Sequence, residues 1–238
     1  MIYIDADAHL TTWRRIADIG GWRHYNGRAG RGDTIVRWGA NHGRFQGHYP
    51  NGVRILNPRL VIGKVEQNRL FTNAGVAVPT VYNTRAQWER AGNPRLVVKP
   101  DVGQMGTGMR LTNRPGFKRD QLYQEYIEKD REFRAMMVHR IMAFFMEKFA
   151  PANGDFRWNE HRGARWGGVG EERGLRRNVK NIGEAALRAL EYDFGAVDII
   201  MQGRNLYVLE VNSRPEFGDI NARRFVNAIH NFLERREE

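Results

Sequence analysis

Apolar residues recur at helical spacing in three stretches of the chain. Val179, Ile182, Ala186 and Leu190 predict a helix from about Asn178 to Tyr192, and Phe225, Ile229, Phe232 and Leu233 predict a closing helix from about Ile220 to Arg235. Val65, Leu70 and Phe71 predict another from Lys64 to Ala74, capped by Gly75 and followed by a strand, VAVPTVY. Elsewhere apolar and polar residues alternate. LVVK, MRL and LYQEYI read as strands of a small antiparallel lobe spanning about residues 78–126. The run EFRAMMVHRIMAFFMEKF fits one long helix or two strands on its pattern alone, and Met136, Met137, Met142 and Met146 read as core filler. Residues 1–58 hold two short apolar starts, MIYI and TIVRWG, around a loop-rich stretch with Trp13, Trp22 and Trp38. Within it YNGRAGRGD is expected to be a flexible loop without strand or helix flanks.

Two of the strand-like runs carry chemistry. In AVDIIMQGRNLYVLEVNSRP, residues 196–215, Glu210 and Asn212 stand two apart on a strand and so face one side. GRN reads as a hairpin turn that brings Asp198 alongside them, and three oxygen donors of this kind suit magnesium held together with nucleotide phosphates. Taken alone, the segment fits a solvated edge strand equally well. In LVVKPDVGQMGTGMRL, residues 96–111, Lys99 ends an apolar strand before Gly103, Gly106 and Gly108, a pattern suited to covering a phosphate with backbone N–H groups and a lysine charge. The spacing matches neither the Walker loop nor the dinucleotide fingerprint, and by itself it is an ordinary turn.

Six pieces in order carry a resemblance: IGKVEQNRLFTNAGVAVPTV, LVVKPDVGQMGTGM, LYQEYIEKDREFRAMMV, FRWNEHRGARW, GAVDII and LYVLEVNSRP. Over about residues 60–218 the chain resembles the ATP-grasp superfamily, in particular the carboxylate-amine ligases that include the enzymes adding glutamate to a ribosomal protein. The resemblance implies an α+β, ATP-grasp fold with two lobes clasping ATP, and it implies two strands rather than one helix for EFRAMMVHRIMAFFMEKF. A reduced N-terminal region would occupy residues 1–60 and the ATP-grasp domain 61–238, its small nucleotide lobe spanning about 78–126 and its metal-binding lobe about 127–238. It implies Lys64 and Lys99 on the nucleotide phosphates, with Lys99 also reaching the adenine edge, and Gly106 in the loop over them. Gln124, Glu125, Tyr126 and Ile127 would form the interdomain hinge, pairing its backbone with adenine. Glu132 is the candidate for the ribose hydroxyls, with Glu128 and Asp130 as alternatives. Asn159, His161 and Arg162 would meet phosphate or acyl phosphate. Arg134 would face the substrate carboxylate or the moving phosphoryl group, and Arg214 would clamp a carboxylate. Asp198, Glu210 and Asn212 would bind two Mg2+ ions, or Mn2+ in their place, with Glu210 bridging. The implied reaction converts Mg-ATP to ADP and phosphate while joining a carboxylate to an amine through an acyl phosphate. A non-catalytic nucleotide- or nucleic-acid-binding protein, or a kinase, on the same scaffold are the alternatives. The short leading region leaves the acceptor open, since fuller relatives use that domain to help bind it.

Composition narrows this picture. The chain has no cysteine, which excludes a cysteine nucleophile, cysteine-ligated metal clusters and disulfides, and fits a reducing cytoplasm. His42 and His48 lack nearby carboxylates at metal-binding spacing. No apolar run is long enough for a membrane helix, and the acidic start MIYIDADAH is unlike a signal peptide, so a cytoplasmic protein without a membrane partner is expected. With 38 Lys and Arg against 27 Asp and Glu, the net charge of +11 favours anionic partners, from ATP itself to a polyanionic or macromolecular acceptor.

Overall fold

Residues 1–6, 11–39, 49–59, 62–101 and 107–235 of the 238-residue chain are described by a computed structural model; His42, His48, Gly103 and Gly106 lie outside them. The leading region holds more order than its short apolar runs predict. Strand β1 (Ile2–Ala6), helix α1 (Thr12–Gly20), β2 (Arg23–His24), β3 (Thr34–Trp38) and β4 (Arg54–Leu56) build a parallel sheet in the order β2-β1-β3-β4. Two expectations are corrected here. Trp13, Trp22 and Trp38 are core residues, none more than 9% exposed, and YNGRAGRGD runs between β2 and β3 and so has a strand on either side. Parallel strands read as short continuous apolar runs rather than alternating ones, and a two-residue strand has no period to detect. Trp38 reaches across to the last helix and the central sheet, stacking on Phe194 at 5.8 Å and meeting Phe225 edge-on at 5.3 Å.

Helix α2 (Lys64–Asn73) starts where the pattern puts it, and Gly75 beyond its end is left-handed at φ +70°. The strand expected over VAVPTVY does not form. Pro79 has no N–H for a ladder, and only Val81 bridges the neighbouring strand, at Gln124. Helix α3 (Arg85–Arg90) is too short to show a period and is set by a reciprocal cap between Thr84 and Gln87. The three alternating runs form β5 (Leu96–Pro100), β6 (Arg110–Thr112) and β7 (Gln121–Glu125), an antiparallel sheet ordered β6-β5-β7 with its own core of Tyr82, Trp88, Leu96, Val98 and Tyr123.

The ambiguous run is two strands, β8 (Arg131–Val138) and β9 (Ile141–Phe149), turned with His139 at φ +49°. After them come β10 (Arg165–Gly168), α4 (Arg173–Leu190), β11 (Phe194–Gln202), β12 (Asn205–Asn212) and α5 (Asp219–Glu234). Helix α4 begins at Arg173 rather than near Asn178. Its first turns are arginine-rich and exposed, and no side chain caps its start, so neither period nor cap marks it in the sequence. The five strands form one antiparallel sheet, β10-β9-β8-β11-β12. One face is buried against α2 and α4 through Phe133, Ala135, Val197, Ile199, Leu187 and Phe71. The other is covered in part, where Met136, Phe144, Phe194 and Ala196 meet α5 and the N-terminal unit. Burial on both sides erases the alternation of β8, which is why helix and strand were indistinguishable there.

Candidate active site

The uncovered part of that second face carries the charge. Across it Met146, Arg134, Asp198 and Glu210 stand in register on β9, β8, β11 and β12. The next row holds Trp166, Lys148, Glu132 and Ile200, and the row on the opposite side is Phe144, Met136, Ala196 and Asn212. The apolar core therefore stops one row short of Asp198. The register shifts between Asp198 and Ile199, leaving Leu209 as the extra residue of a bulge in β12, so that Glu210 stands in the charged row and its neighbour Leu209 lines the adjoining cleft.

The charges are interlocked. Arg134 forks both oxygens of Asp198, Nε at 2.7 Å and Nη2 at 2.8 Å, and Lys64 Nζ lies 2.9 Å from Glu210 Oε2. Burial raises the Asp198 carboxyl pKa, but Arg134, Lys148 and Lys64 outweigh it and hold the group below the usual carboxylate range. Lys64 opens α2, whose first turn is capped by Asp101: its Oδ1 accepts from the Val65 N–H at 2.8 Å. A side chain at Gly63 would strike that carboxylate and displace the cap. Glu132 is buried between two lysines, one oxygen paired with Lys148 and the other with Lys129. Lys129 also stands 4.4 Å from the Trp158 ring centroid, and burial lowers its pKa against the opposing pull of Glu132.

Beside these rows a cleft opens between the two antiparallel sheets. It is lined by Val97 and Lys99 of β5, Met109, Gln124, Glu125, Tyr126, Ile127, Phe156, Ile200 and Leu209. Gln124 shares a face with Val97 and Lys99, is 1% exposed, and neither atom of its side-chain amide has a hydrogen-bond partner. A buried amide left with both donor and acceptor open is costly unless a ligand completes it. Burial pushes the Lys99 ammonium down to about 8, opposed by Glu210 and reinforced by Lys64 and Lys129. Phe156 meets Tyr126 edge-on at 6.2 Å, and Arg157 donates to the Met109 carbonyl at 3.4 Å, so the segment around Asn159 closes one side of the cleft. Asn159 opens the short turn Glu160–Arg162, and Arg162 donates to Asp155 at 3.2 Å, a carboxylate that Arg157 holds well below its usual range. Arg214 lies at the far end of β12, its backbone N–H bonded to Asn212 Oδ1 at 2.9 Å and its stem against Gly39 at the end of β3.

The structure thus gathers Lys64, Arg134, Glu132, Asp198 and Glu210 on one surface with the cleft residues beside it, sets Asn212 and Arg214 at one end, and leaves Asn159 and Arg162 on the segment after Phe156, outside the residues that line the cleft. Gly106 falls outside the described residues. Lys148, Lys129, Trp166, Asp101 and Phe156 were missed. Lys148 had a signal, a lone lysine in phase with Phe144 and Met146, but reading it needs the strand assignment first. Among the described residues no three His, Cys, Asp or Glu cluster at metal-binding geometry. The donor set of two carboxylates and one amide oxygen nevertheless suits magnesium, which takes few protein ligands and completes its shell from phosphates and water.

Comparison with known proteins bears on this geometry. A family described as the RimK-like ATP-grasp domain matches residues 95–235. A probable alpha-L-glutamate ligase of Stenotrophomonas maltophilia (strain K279a) is 29% identical over 259 residues, covering 96% of this chain and 87% of its own length. One from Shewanella oneidensis is 28% identical over 158 residues, covering 61% of this chain and 49% of its own. Among solved structures, the ATP-grasp ligase PsnB complexed with a minimal precursor superposes with a TM-score of 0.66 at 14% identity, covering 97% of each chain. D-alanine–D-alanine ligase from Bacillus anthracis gives 0.63 at 14% identity, covering 99% of this chain and 98% of its own. These structures share the fold.

Proposed function

Because the chain belongs to the RimK-like ATP-grasp family and is an ATP-dependent ligase forming a carbon–nitrogen bond, we propose that its cleft holds ATP, its charged rows carry phosphoryl transfer to a carboxylate, and L-glutamate is one substrate. The observation that carries this reading is the row Arg134, Asp198, Glu210 and the neighbouring Lys64, Lys148 and Glu132, lying beside a cleft with an unpartnered amide. In it adenine sits among Val97, Ile200, Leu209 and Tyr126, with the Gln124 amide able to donate to and accept from a purine edge, as glutamine does with adenine elsewhere. Backbone groups of Tyr126 and Ile127 complete that edge. Asp198, Glu210 and Asn212 would hold the magnesium, read here as two ions. When bound there, magnesium neutralises charge on the terminal phosphate oxygens.

Lys64, Lys99, Lys148 and Arg134 orient the triphosphate and stabilise charge as the bond between the γ-phosphorus and the β,γ-bridging oxygen breaks and a substrate carboxylate oxygen takes its place. The amine then attacks the acyl carbon, loses a proton, and phosphate leaves with the acyl oxygen. Glu132, held by Lys129 and Lys148, serves chiefly to fix those two ammonium groups, which leaves its ribose role secondary. Arg214, at the carboxyl end of parallel strand β3, is the residue for a substrate carboxylate, since parallel sheets offer ligands the ends of their strands. An anionic acceptor is supported by the net charge of +11 and by Arg173, Arg176 and Arg177, exposed in the opening turns of α4 where the helix dipole disfavours cations. Among the described residues no helix is long and apolar enough to cross a membrane.

The test is magnesium-dependent ADP release from ATP with L-glutamate and pooled carboxylates, with hydroxylamine as the surrogate amine. Carboxylate-dependent ADP together with hydroxamate supports the ligase reading. ADP without hydroxamate, under conditions that trap a known acyl phosphate, overturns the acyl-phosphate step.

A further inference from the structure

Trp166 stands on β10, the edge strand, directly opposite Lys148 of β9. Its ring centroid is 4.7 Å from Lys148 Nζ and 4.9 Å from the guanidinium carbon of Arg134. Arg134 belongs to β8, two strands from β10, a span of about 10 Å at normal strand spacing. The indole therefore lies across β9 rather than standing off the sheet. It brings two cations to one aromatic ring, on the same face as Asp198 and Glu210.

We propose that Trp166 is a positioning residue of the phosphoryl-transfer site, holding the Lys148 ammonium and the Arg134 guanidinium in place for the terminal phosphate. An aromatic face attracts a cation without taking up any of its N–H donors. A carboxylate in the same place would neutralise the charge and engage donors that the phosphate needs. Lys148 already gives one donor to Glu132, and Arg134 gives two to Asp198. The ring sets the direction of what remains: two ammonium hydrogens on Lys148, and the Nη1 pair with one Nη2 hydrogen on Arg134. It also offsets the repulsion of two like charges drawn together on a largely buried surface, where Lys148 is only 5% exposed. An aliphatic side chain of similar bulk would fill the space and do neither.

The inference rests on the reading of the cleft as an ATP site, and its test needs no acceptor substrate. Equilibrium affinities for the ATP analogue AMP-PNP and for ADP, each with magnesium, give a ratio that reports on contacts to the terminal phosphate. Trp166→Leu is expected to lower that ratio at least about fivefold with ADP affinity little changed, and Trp166→Phe, which keeps an aromatic face, to restore most of it. A residue that only fills space would alter thermal stability and leave the ratio alone. An unchanged ratio in Trp166→Leu, or an equal loss in the Phe and Leu variants, overturns the proposal while leaving the ATP site intact. Wild-type protein that binds neither nucleotide overturns both. Melting temperatures of all three proteins confirm that folded species are compared. Should the Leu variant fail to fold, Trp166→Met against Trp166→Phe decides the same question.

Discussion

Lys99 is held at a cost that should be measurable. Its ammonium is 6% exposed, and burial lowers its pKa from 10.5 to about 8 even with Glu210 nearby. At ~1.36 kcal/mol per unit that displacement represents ~3 kcal/mol of strain on the charged form. The unfolded chain keeps its proton to about 10.5 while the folded chain releases it near 8, so between those values the unfolded state binds more protons and folding stability rises with pH. Below about 8 the full penalty is present. Lys99→Met removes the charge and keeps most of the volume. Without nucleotide at pH 7 it should be more stable than wild type by up to ~3 kcal/mol, or ~6–12 °C in melting temperature for a chain of this size. The gap should shrink as pH is raised from 8 to 10. Added Mg-ATP should reverse the order, because ligand stabilisation follows affinity and the variant loses a phosphate contact. Thermal melts of both proteins at pH 7, 8, 9 and 10, with and without nucleotide, check all of this. A variant that melts at or below wild type at pH 7 without nucleotide, or a gap that does not change with pH, refutes the reasoning.

Glu210→Ala should abolish ADP release while far-ultraviolet circular dichroism stays that of wild type; turnover near the wild-type rate would remove Glu210 from the metal site. Gln124→Leu deletes a buried amide with no protein partner, so melting without nucleotide should hold or rise while ATP affinity drops ~5–10-fold and its margin over GTP narrows, as thermal melts and nucleotide titration can measure. Asn57, 1% exposed and left-handed at φ +58°, accepts the N–H groups of Asp193 and Phe194 and donates to the Phe194 carbonyl. Asn57→Ala should therefore cost ~2–4 kcal/mol in denaturant unfolding; a loss under ~0.5 kcal/mol would show that this link between the N-terminal sheet and β11 is dispensable.

Much of the site was legible because its chemistry is local. Glu210 and Asn212 share a strand and Asp198 returns beside them through a short hairpin, so spacing alone could bring these three together; Lys99 ends an apolar run on another sheet and was joined to them only through the resemblance. The residues that escaped are those whose meaning depends on another element. Lys148 and Trp166 acquire theirs by cross-strand register, and Asp101 by capping a helix that begins thirty-seven positions earlier, at Lys64. Glu132 was legible as a candidate, but its two lysine partners come from positions three before it and sixteen after it, which pattern reading cannot join.

The sequence alone determined the helices α2 and α5, the small antiparallel lobe and the kinds of ligand the acidic hairpin could take. These follow from periodicity, turn residues and donor chemistry, all properties of neighbouring positions. The α+β class came from the family resemblance carried by six ordered motifs. Tertiary structure decided the rest. It made a parallel sheet of a leading region whose strands were too short to show a period, and it buried both sides of β8, a run that the family resemblance, but not its local pattern, had marked as strand. It also drew the border between apolar core and charged rows across a single sheet face. That border depends on where α5 stops covering the sheet, a matter of packing between segments that no local pattern along the chain contains.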